Sequence, residues 1–196
     1  MKIVTVMGSP RLTGNTGTIL KAFERGAAQT HEVERINLID YNYSGCLGCD
    51  TCQEVSDVPG CGLEDDGTAI IRSILAADLV VYATPVYIWS FPAGMKALME
   101  RHFALVKSRL PGAPSLIAGK LVMLLVTCKG TAIESADLIL ETFKREMDYL
   151  DCTTVGRYVV DSTTSPNELG ERRKDTAQMM LHDLAANPAW IALSRG

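Results

Sequence analysis

Three cysteines stand at three-residue spacing, Cys46, Cys49 and Cys52, and Cys61 follows across a gap of eight residues. Gly45, Gly48, Gly60 and Gly62 punctuate the stretch, so the chain there can wrap around a common centre. Cys-x2-Cys-x2-Cys followed by a more distant thiolate is a [4Fe–4S] pattern. The two Cys-x-x-Cys units overlap instead of lying apart, which makes a zinc ribbon a weaker match. Zinc and unmetallated, redox-active thiols stand as the alternatives.

A second stretch suits an anion. Val4-Thr5-Val6-Met7 reads as the end of an apolar strand, and Gly8-Ser9-Pro10-Arg11-Leu12-Thr13-Gly14-Asn15-Thr16 leads from it into a helix capped by Asn15 or Thr16. Amides at a helix start, the positive end of its dipole and hydroxyl donors together attract phosphate. Arg11 adds a planar fork of donors. The loop has neither Gly-x-Gly-x-x-Gly nor Gly-Lys-Ser/Thr, so dinucleotide and triphosphate sites are disfavoured. One terminal phosphate is the better fit, with a well-capped turn of no special function as the plain alternative.

The third stretch, Thr84-Pro85-Val86-Tyr87-Ile88-Trp89-Ser90-Phe91, puts three aromatic residues in one loop. Exposed aromatics suit a flat ligand; packing under the loop or into a subunit interface is the alternative. Elsewhere chemistry is sparse. His31, His102 and His182 are scattered, and no nucleophile elbow appears. Cys128 and Cys152 read as packing residues. Lys96, Arg101 and the run Arg172-Arg173-Lys174 read as solvated helix faces.

The elements that must position these residues alternate. Strands are expected at Lys2–Met7, Glu32–Leu38, Asp78–Ala83, Lys120–Thr127 and Thr153–Val160. Helices are expected from Asn15 or Thr16 to Arg25, after Asp65 or Asp66, from Pro92 to about Val106, from Ile133 to Leu150 and from Glu168 to Ala186. Ser108 to Ala118 is a connector, and the irregular stretch at about 39–64 is a cysteine-rich insertion loop. Alternation with short links implies one α/β domain over 1–196, a five-stranded parallel sheet between two helix layers with the flavodoxin-like strand order 2-1-3-4-5. The 196 residues suffice for one such core. A formal net charge of −4 without charge runs favours neither nucleic acid nor membrane. No apolar stretch approaches the ~20 residues of a membrane span. Met1-Lys2-Ile3-Val4 enters a strand without a signal peptide, so a cytoplasmic setting is expected, where six cysteines point to metal or redox use.

Gly8-Ser9-Pro10-Arg11-x-x-Gly14-Asn15-Thr16, then Thr84-Pro85-Val86-Tyr87, then Lys96-Ala97-Leu98-Met99-Glu100-Arg101, resembles the NADPH-dependent FMN reductase family of flavodoxin-like proteins. The resemblance implies FMN, with Ser9, Arg11, Asn15 and Thr16, and Gly14 in the same loop, on its phosphate. Pro85, Val86, Tyr87, Ile88 and Trp89 would line the isoalloxazine, and Cys128-Lys129-Gly130-Thr131 would close the site. The cysteine loop, followed by Asp65-Asp66, resembles the iron–sulfur flavoprotein branch of that family. This implies Cys46, Cys49, Cys52 and Cys61 as ligands of a [4Fe–4S] cluster, although the last gap is longer than is usual in that branch. Expected partners are further copies of the chain, as a homodimer or higher homo-oligomer, and a ferredoxin-type redox protein. Two functions follow: a reductase using NAD(P)H, with or without the cluster, or an electron carrier with no small substrate of its own.

Overall fold

In a computed structural model of the chain, residues 1–107, 112 and 114–193 are described. Five strands form one parallel sheet: β1 (Lys2–Met7), β2 (Glu32–Asn37), β3 (Leu79–Pro85), β4 (Leu121–Thr127) and β5 (Thr153–Val160). Their order is β2-β1-β3-β4-β5, the order expected from the alternation. The central strands β3 and β4 are buried at every position, as continuous apolar runs require when helices cover both faces. The edge strand β2 carries charge instead. Its Glu34 pairs with Lys2 at 2.7 Å, and its Arg35 pairs with Glu24 at 3.0 Å.

Two hydrophobic layers hold the sheet. On one face α1 (Asn15–Ala27), α6 (Arg172–Ala186) and α7 (Pro188–Leu193) cover Ile3, Leu79, Val81, Met123 and Leu125. On the other, α2 (Gly67–Ala76), α3 (Ala93–Arg101) and α5 (Asp137–Tyr149) cover Val4, Val6, Val80, Tyr82 and Leu124. Between α3, α5 and the sheet lies a buried polar chain. His102 Nδ1 meets Glu146 Oε1 at 2.7 Å, and its Nε2 lies 3.5 Å from the Tyr82 hydroxyl. No described helix is long and apolar enough to cross a membrane.

Several boundaries differ from expectation. The helix expected from Ile133 is split into a single turn, α4 (Ala132–Ser135), and α5, with a break at Ala136, whose φ is −114°. The helix begun at Pro92 ends at Arg101 and passes into a 3-10 turn over His102–Leu105. Pro166–Leu169 forms a separate 3-10 turn, so the last long helix starts at Arg172, and α7 follows Pro188. The capping assignments also change. Gly14 is the N-cap of α1, and neither Asn15 nor Thr16 caps it. Asp66 is the N-cap of α2 but makes no capping bond; the Asp65 carboxylate takes the Gly67 amide at 3.0 Å. Of the connector at 108–118, residues 108–111 and 113 lie outside the described residues.

Phe143 on α5 is fully buried with its ring 5.7 Å from that of Tyr82. Phe143→Ala should cost about 3–5 kcal/mol of stability, the range for removing a large core aromatic. Urea unfolding measures it; a loss below about 1 kcal/mol would show that this layer does not depend on the contact.

Candidate functional site

All five strands end on one edge, so the loops after β1, β3, β4 and β5 stand side by side there. In the first loop Ser9 is buried, and its hydroxyl accepts from the Arg11 amide at 3.1 Å, which tightens the turn. Arg11 itself is exposed. The Thr16 hydroxyl shares a hydrogen bond of 2.7 Å with that of Thr127 at the end of β4. Asn15 is buried, and its Oδ1 has no hydrogen-bond partner. The amides that open α1 receive no side-chain cap. A buried helix start without a cap calls for an outside partner. Rotating the Asn15 amide exchanges its acceptor for a donor, and in that orientation the site fits an anion.

The second loop is a tight turn. Tyr87 and Ser90 exchange amide-to-carbonyl bonds of 2.9 and 3.0 Å. Between them Ile88 and Trp89 have φ of 49° and 56°. A β-branched residue in the left-handed region is strained, and such strain gathers at functional positions. The turn leaves Ile88 85% and Trp89 55% exposed, with the Trp89 indole donating to the Glu134 carbonyl at 3.0 Å. Phe91 does not join them. It is buried in the core beside Met95 and Leu98, where the layer on α3 needs an apolar residue.

Beside the first loop opens a cleft with about 810 Å³ of empty space, lined by Gly8, Pro10, Tyr41, Tyr43, Tyr87 and Gly94 among others. Of the five expected residues from Pro85 to Trp89, only Tyr87 lines it. Tyr41 and Tyr43 were not singled out in the sequence; their signal was an alternating aromatic pair just past the second strand. Tyr43 donates to the Gly94 carbonyl at 2.7 Å. Burial, and then the Asp65 charge, push its hydroxyl up to about 12, so it stays protonated.

In the third loop Cys128 is buried, and burial pushes its thiol up, which agrees with packing. Its amide bonds to the Val160 carbonyl, and its own carbonyl accepts the Thr163 amide. Thr163 brings a buried hydroxyl without a partner to the same edge.

The four cysteines of the insertion loop come together. They line one tight space with Leu63, Arg101 and Phe103. Gly48, with φ of 65°, and Asp50, with φ of 60°, turn the chain sharply on either side of Cys49. Three sulfurs already accept donors. The Gly48 amide reaches Cys46 Sγ at 3.4 Å, the Thr51 hydroxyl Cys49 Sγ at 3.5 Å, and the Gln53 amide Cys52 Sγ at 3.4 Å. The Thr51 contact is the main reason that the Cys49 thiol lies below its ordinary value of 9.0. Among the described residues no three His, Cys, Asp or Glu side chains converge closely enough to hold one metal ion. A four-iron centre makes a different demand, with one thiolate for each iron around a cube. Sulfurs around a tight space, each near hydrogen-bond donors, fit that demand in kind.

Hydrogen-bonded carboxylates and two buried cations hold this loop in place. Asp65 accepts from the Ser44 amide at 3.1 Å, and Asp66 from the Asn42 amide at 2.7 Å. Arg101, expected on a solvated face, is instead 1% exposed and bonds both Asp65 oxygens at 3.0 and 2.9 Å. Lys96 does stay on the surface, paired with Glu100. The long gap before Cys61 is tied down as well. Buried Lys107 donates to the Cys52 carbonyl at 2.8 Å and to the Pro59 carbonyl at 3.1 Å. Gln53 reaches back to the Phe103 and Val106 carbonyls.

A model of the NADPH-dependent FMN reductase family matches residues 1–165. An iron-sulfur flavoprotein of Methanocaldococcus jannaschii is 34% identical over 102 residues, covering 52% of this chain and 51% of that protein. Another, from Archaeoglobus fulgidus, is 30% identical over 125 residues, covering 61% and 56%. The chain thus spans about half the length of the curated relatives it matches. Among solved structures, an FMN-dependent NADH-azoreductase from Bacillus anthracis in complex with FMN superposes with a TM-score of 0.71 at 14% identity, over 94% of this chain and all of that one. A putative quinone reductase from Klebsiella pneumoniae gives 0.70 at 20% identity, over 92% and 83%. At these identities the likeness to solved structures is one of fold.

Burial works against the Asp65 charge, but Arg101 and the Ser44 and Gly67 amides outweigh it and hold the carboxyl below its ordinary value of 3.8. The stability it brings is therefore present above pH 3.8 and is lost as pH falls through the lowered value. Asp65→Asn should lower stability at neutral pH by up to about 3 kcal/mol, the low end for breaking a buried pair because Asp65 is partly exposed. It should also flatten the acid limb of a stability–pH curve. An unchanged acid limb would remove the pair from this account.

Proposed function

Because this chain belongs to the NADPH-dependent FMN reductase family, we propose that it is an FMN-dependent oxidoreductase. We assign it NAD(P)H or a protein as electron donor and a [4Fe–4S] cluster in the cysteine loop. One observation carries the flavin reading: the uncapped, buried start of α1, with the unpaired Asn15 amide, beside a tyrosine-lined cleft at the carboxyl edge of the sheet. In open parallel sheets ligands bind at that edge, where strand order reverses.

Ser9, Arg11, Gly14, Asn15 and Thr16 hold the phosphate in this reading. The buried amides and hydroxyls fix its position, and Arg11 closes over it from the solvent side. Of the loop from Pro85 to Trp89, Tyr87 meets the ring, and with Tyr41 and Tyr43 it provides the flat walls of the cleft. FMN, when bound, supplies the hydride and single-electron chemistry, so the protein's task is to orient it and exclude water. Cys46, Cys49, Cys52 and Cys61 ligate the cluster, which supplies one-electron transfer. The exposed Ile88 and Trp89, held on a strained turn, suit a contact with a second copy of the chain and make a homo-oligomer the expected state.

A second reading is an electron carrier between proteins. Its support is proximity along the chain, because Tyr43 lines the tyrosine cleft three residues before Cys46. Anaerobic NAD(P)H oxidation with a quinone or free FMN as acceptor separates the two. Steady turnover supports the reductase. Reduction only by a reduced ferredoxin, without turnover of NAD(P)H, supports the carrier.

The phosphate assignment has its own test. Arg11→Ala removes a charge-assisted contact of about 1.5–3 kcal/mol and should weaken FMN binding roughly ten- to a hundredfold. Titration of the flavin-free protein with FMN and with FAD reads this out. An unaffected variant, or FAD bound as tightly as FMN, would overturn the assignment.

A further inference from the structure

Arg101 holds more donors than its visible partners use. Its Nη1 serves Asp65 and the Ser44 carbonyl, the latter at 3.2 Å. Its Nε and Nη2 have no hydrogen-bond partner, although both are shut off from solvent. A buried guanidinium with two idle donor nitrogens is costly, so the fold must hold it there for a reason. It borders two spaces. One is an open cleft of about 900 Å³ between residues 58–61 and α2. Nitrogens hidden from solvent cannot serve a ligand entering that cleft. The other is the tight space lined by Cys46, Cys49, Cys52 and Cys61.

Arg101 lines that space together with the four cysteines, and no hydrogen bond joins its Nε or Nη2 to a sulfur. The pocket is also shaped for this side chain. A Cβ on Gly67 would stand 3.0 Å from Arg101 Nη1.

We propose that Arg101 is the countercharge of the cysteine site. Its idle Nε and Nη2 stabilise negative charge on an iron–sulfur centre ligated by the four thiolates, and so favour the one-electron-reduced form of that centre. The proposal rests on the cluster reading above. Four thiolates outweigh the charge of the iron–sulfide core, and reduction adds one more negative charge without making or breaking a bond. A fixed cation in a poorly hydrated site favours the more negative state. Asp65 partly cancels that cation, so the two residues pull the equilibrium in opposite directions. Arg101 is in this sense a tuning residue and need not ligate iron.

The test uses the full chain, reconstituted anaerobically with iron and sulfide, and titrated with dithionite while the reduced centre is followed by electron paramagnetic resonance. Iron and sulfide are counted first. Wild-type protein without iron above background overturns the cluster reading, and this proposal with it. With four irons present, Arg101→Gln should lower the reduced-to-oxidised ratio at a given potential by about tenfold, equivalent to about 59 mV for one electron. Arg101→Lys should restore most of the shift, and Asp65→Asn should move it the other way. A loosened loop would not give opposite signs for the two partners. An iron-loaded Arg101→Gln with the wild-type midpoint overturns the role of Arg101 and leaves the cluster reading standing. If that variant does not fold, Asp65→Asn decides alone: a raised midpoint supports the proposal, and an unchanged or lowered one overturns it.

Discussion

Parallel pairing is the constraint on which the rest of this molecule depends. Each strand must return to the same end of the sheet before the next begins, so every link crosses a face as a helix and every strand ends on one edge. That edge collects Ser9, Asn15, Tyr87, Cys128 and Thr163, which are far apart in the chain. The same constraint explains the composition of β3 and β4, buried at all seven positions each. A strand covered on both faces has no solvent side on which to alternate.

The cysteine loop answers to a different balance. Ordering some 25 residues whose regular structure is little more than the 3-10 turn Thr51–Glu54 costs backbone entropy of order 1–2 kcal/mol per residue. Apolar burial there is modest, since Leu47, Val55 and Val58 stay partly or largely exposed. What fixes the loop is a set of polar anchors, two of them the buried cations Arg101 and Lys107. Asp65 and Asp66 take amides at its start, Lys107 and Gln53 bind carbonyls at its end, and Arg101 pairs with Asp65 beside the space that the cysteines line. Such groups gain most where water is absent, and they lose as much if a partner is missing.

Among the described residues five other than glycine have left-handed backbone, and three of them lie in the aromatic loop and the cysteine loop. Ile88 and Trp89 accept left-handed backbone at the end of β3, and Asp50 does so between two cysteines. Each turn aims side chains that a relaxed loop would let wander. In the first, the result is an apolar surface at the carboxyl edge of the sheet; in the second, it is the closure of the chain around the thiols.

The sequence by itself determined the architecture, because strand and helix periods are local. Lys2–Met7 and Thr153–Val160 begin and end where the apolar pattern does. It also determined the chemical vocabulary, because Cys-x2-Cys-x2-Cys and the Ser-Arg-Asn-Thr loop are contiguous. Helix ends were less legible: the helix expected from Ile133 is interrupted at Ala136, and the one from Pro92 passes into a 3-10 turn after Arg101. The partners of single side chains were not legible at all. Arg101 follows a surface pattern along α3, yet it is buried, because a carboxylate 36 residues away in the chain lies against it. Phe91 belongs to an aromatic loop by sequence and to the core by packing. Lys107 spans a gap that spacing alone makes look too long. Those outcomes depend on which distant groups share a dry space, and only the tertiary structure decides that, because the cost of an unpaired charge is set by its surroundings and not by its neighbours in the chain.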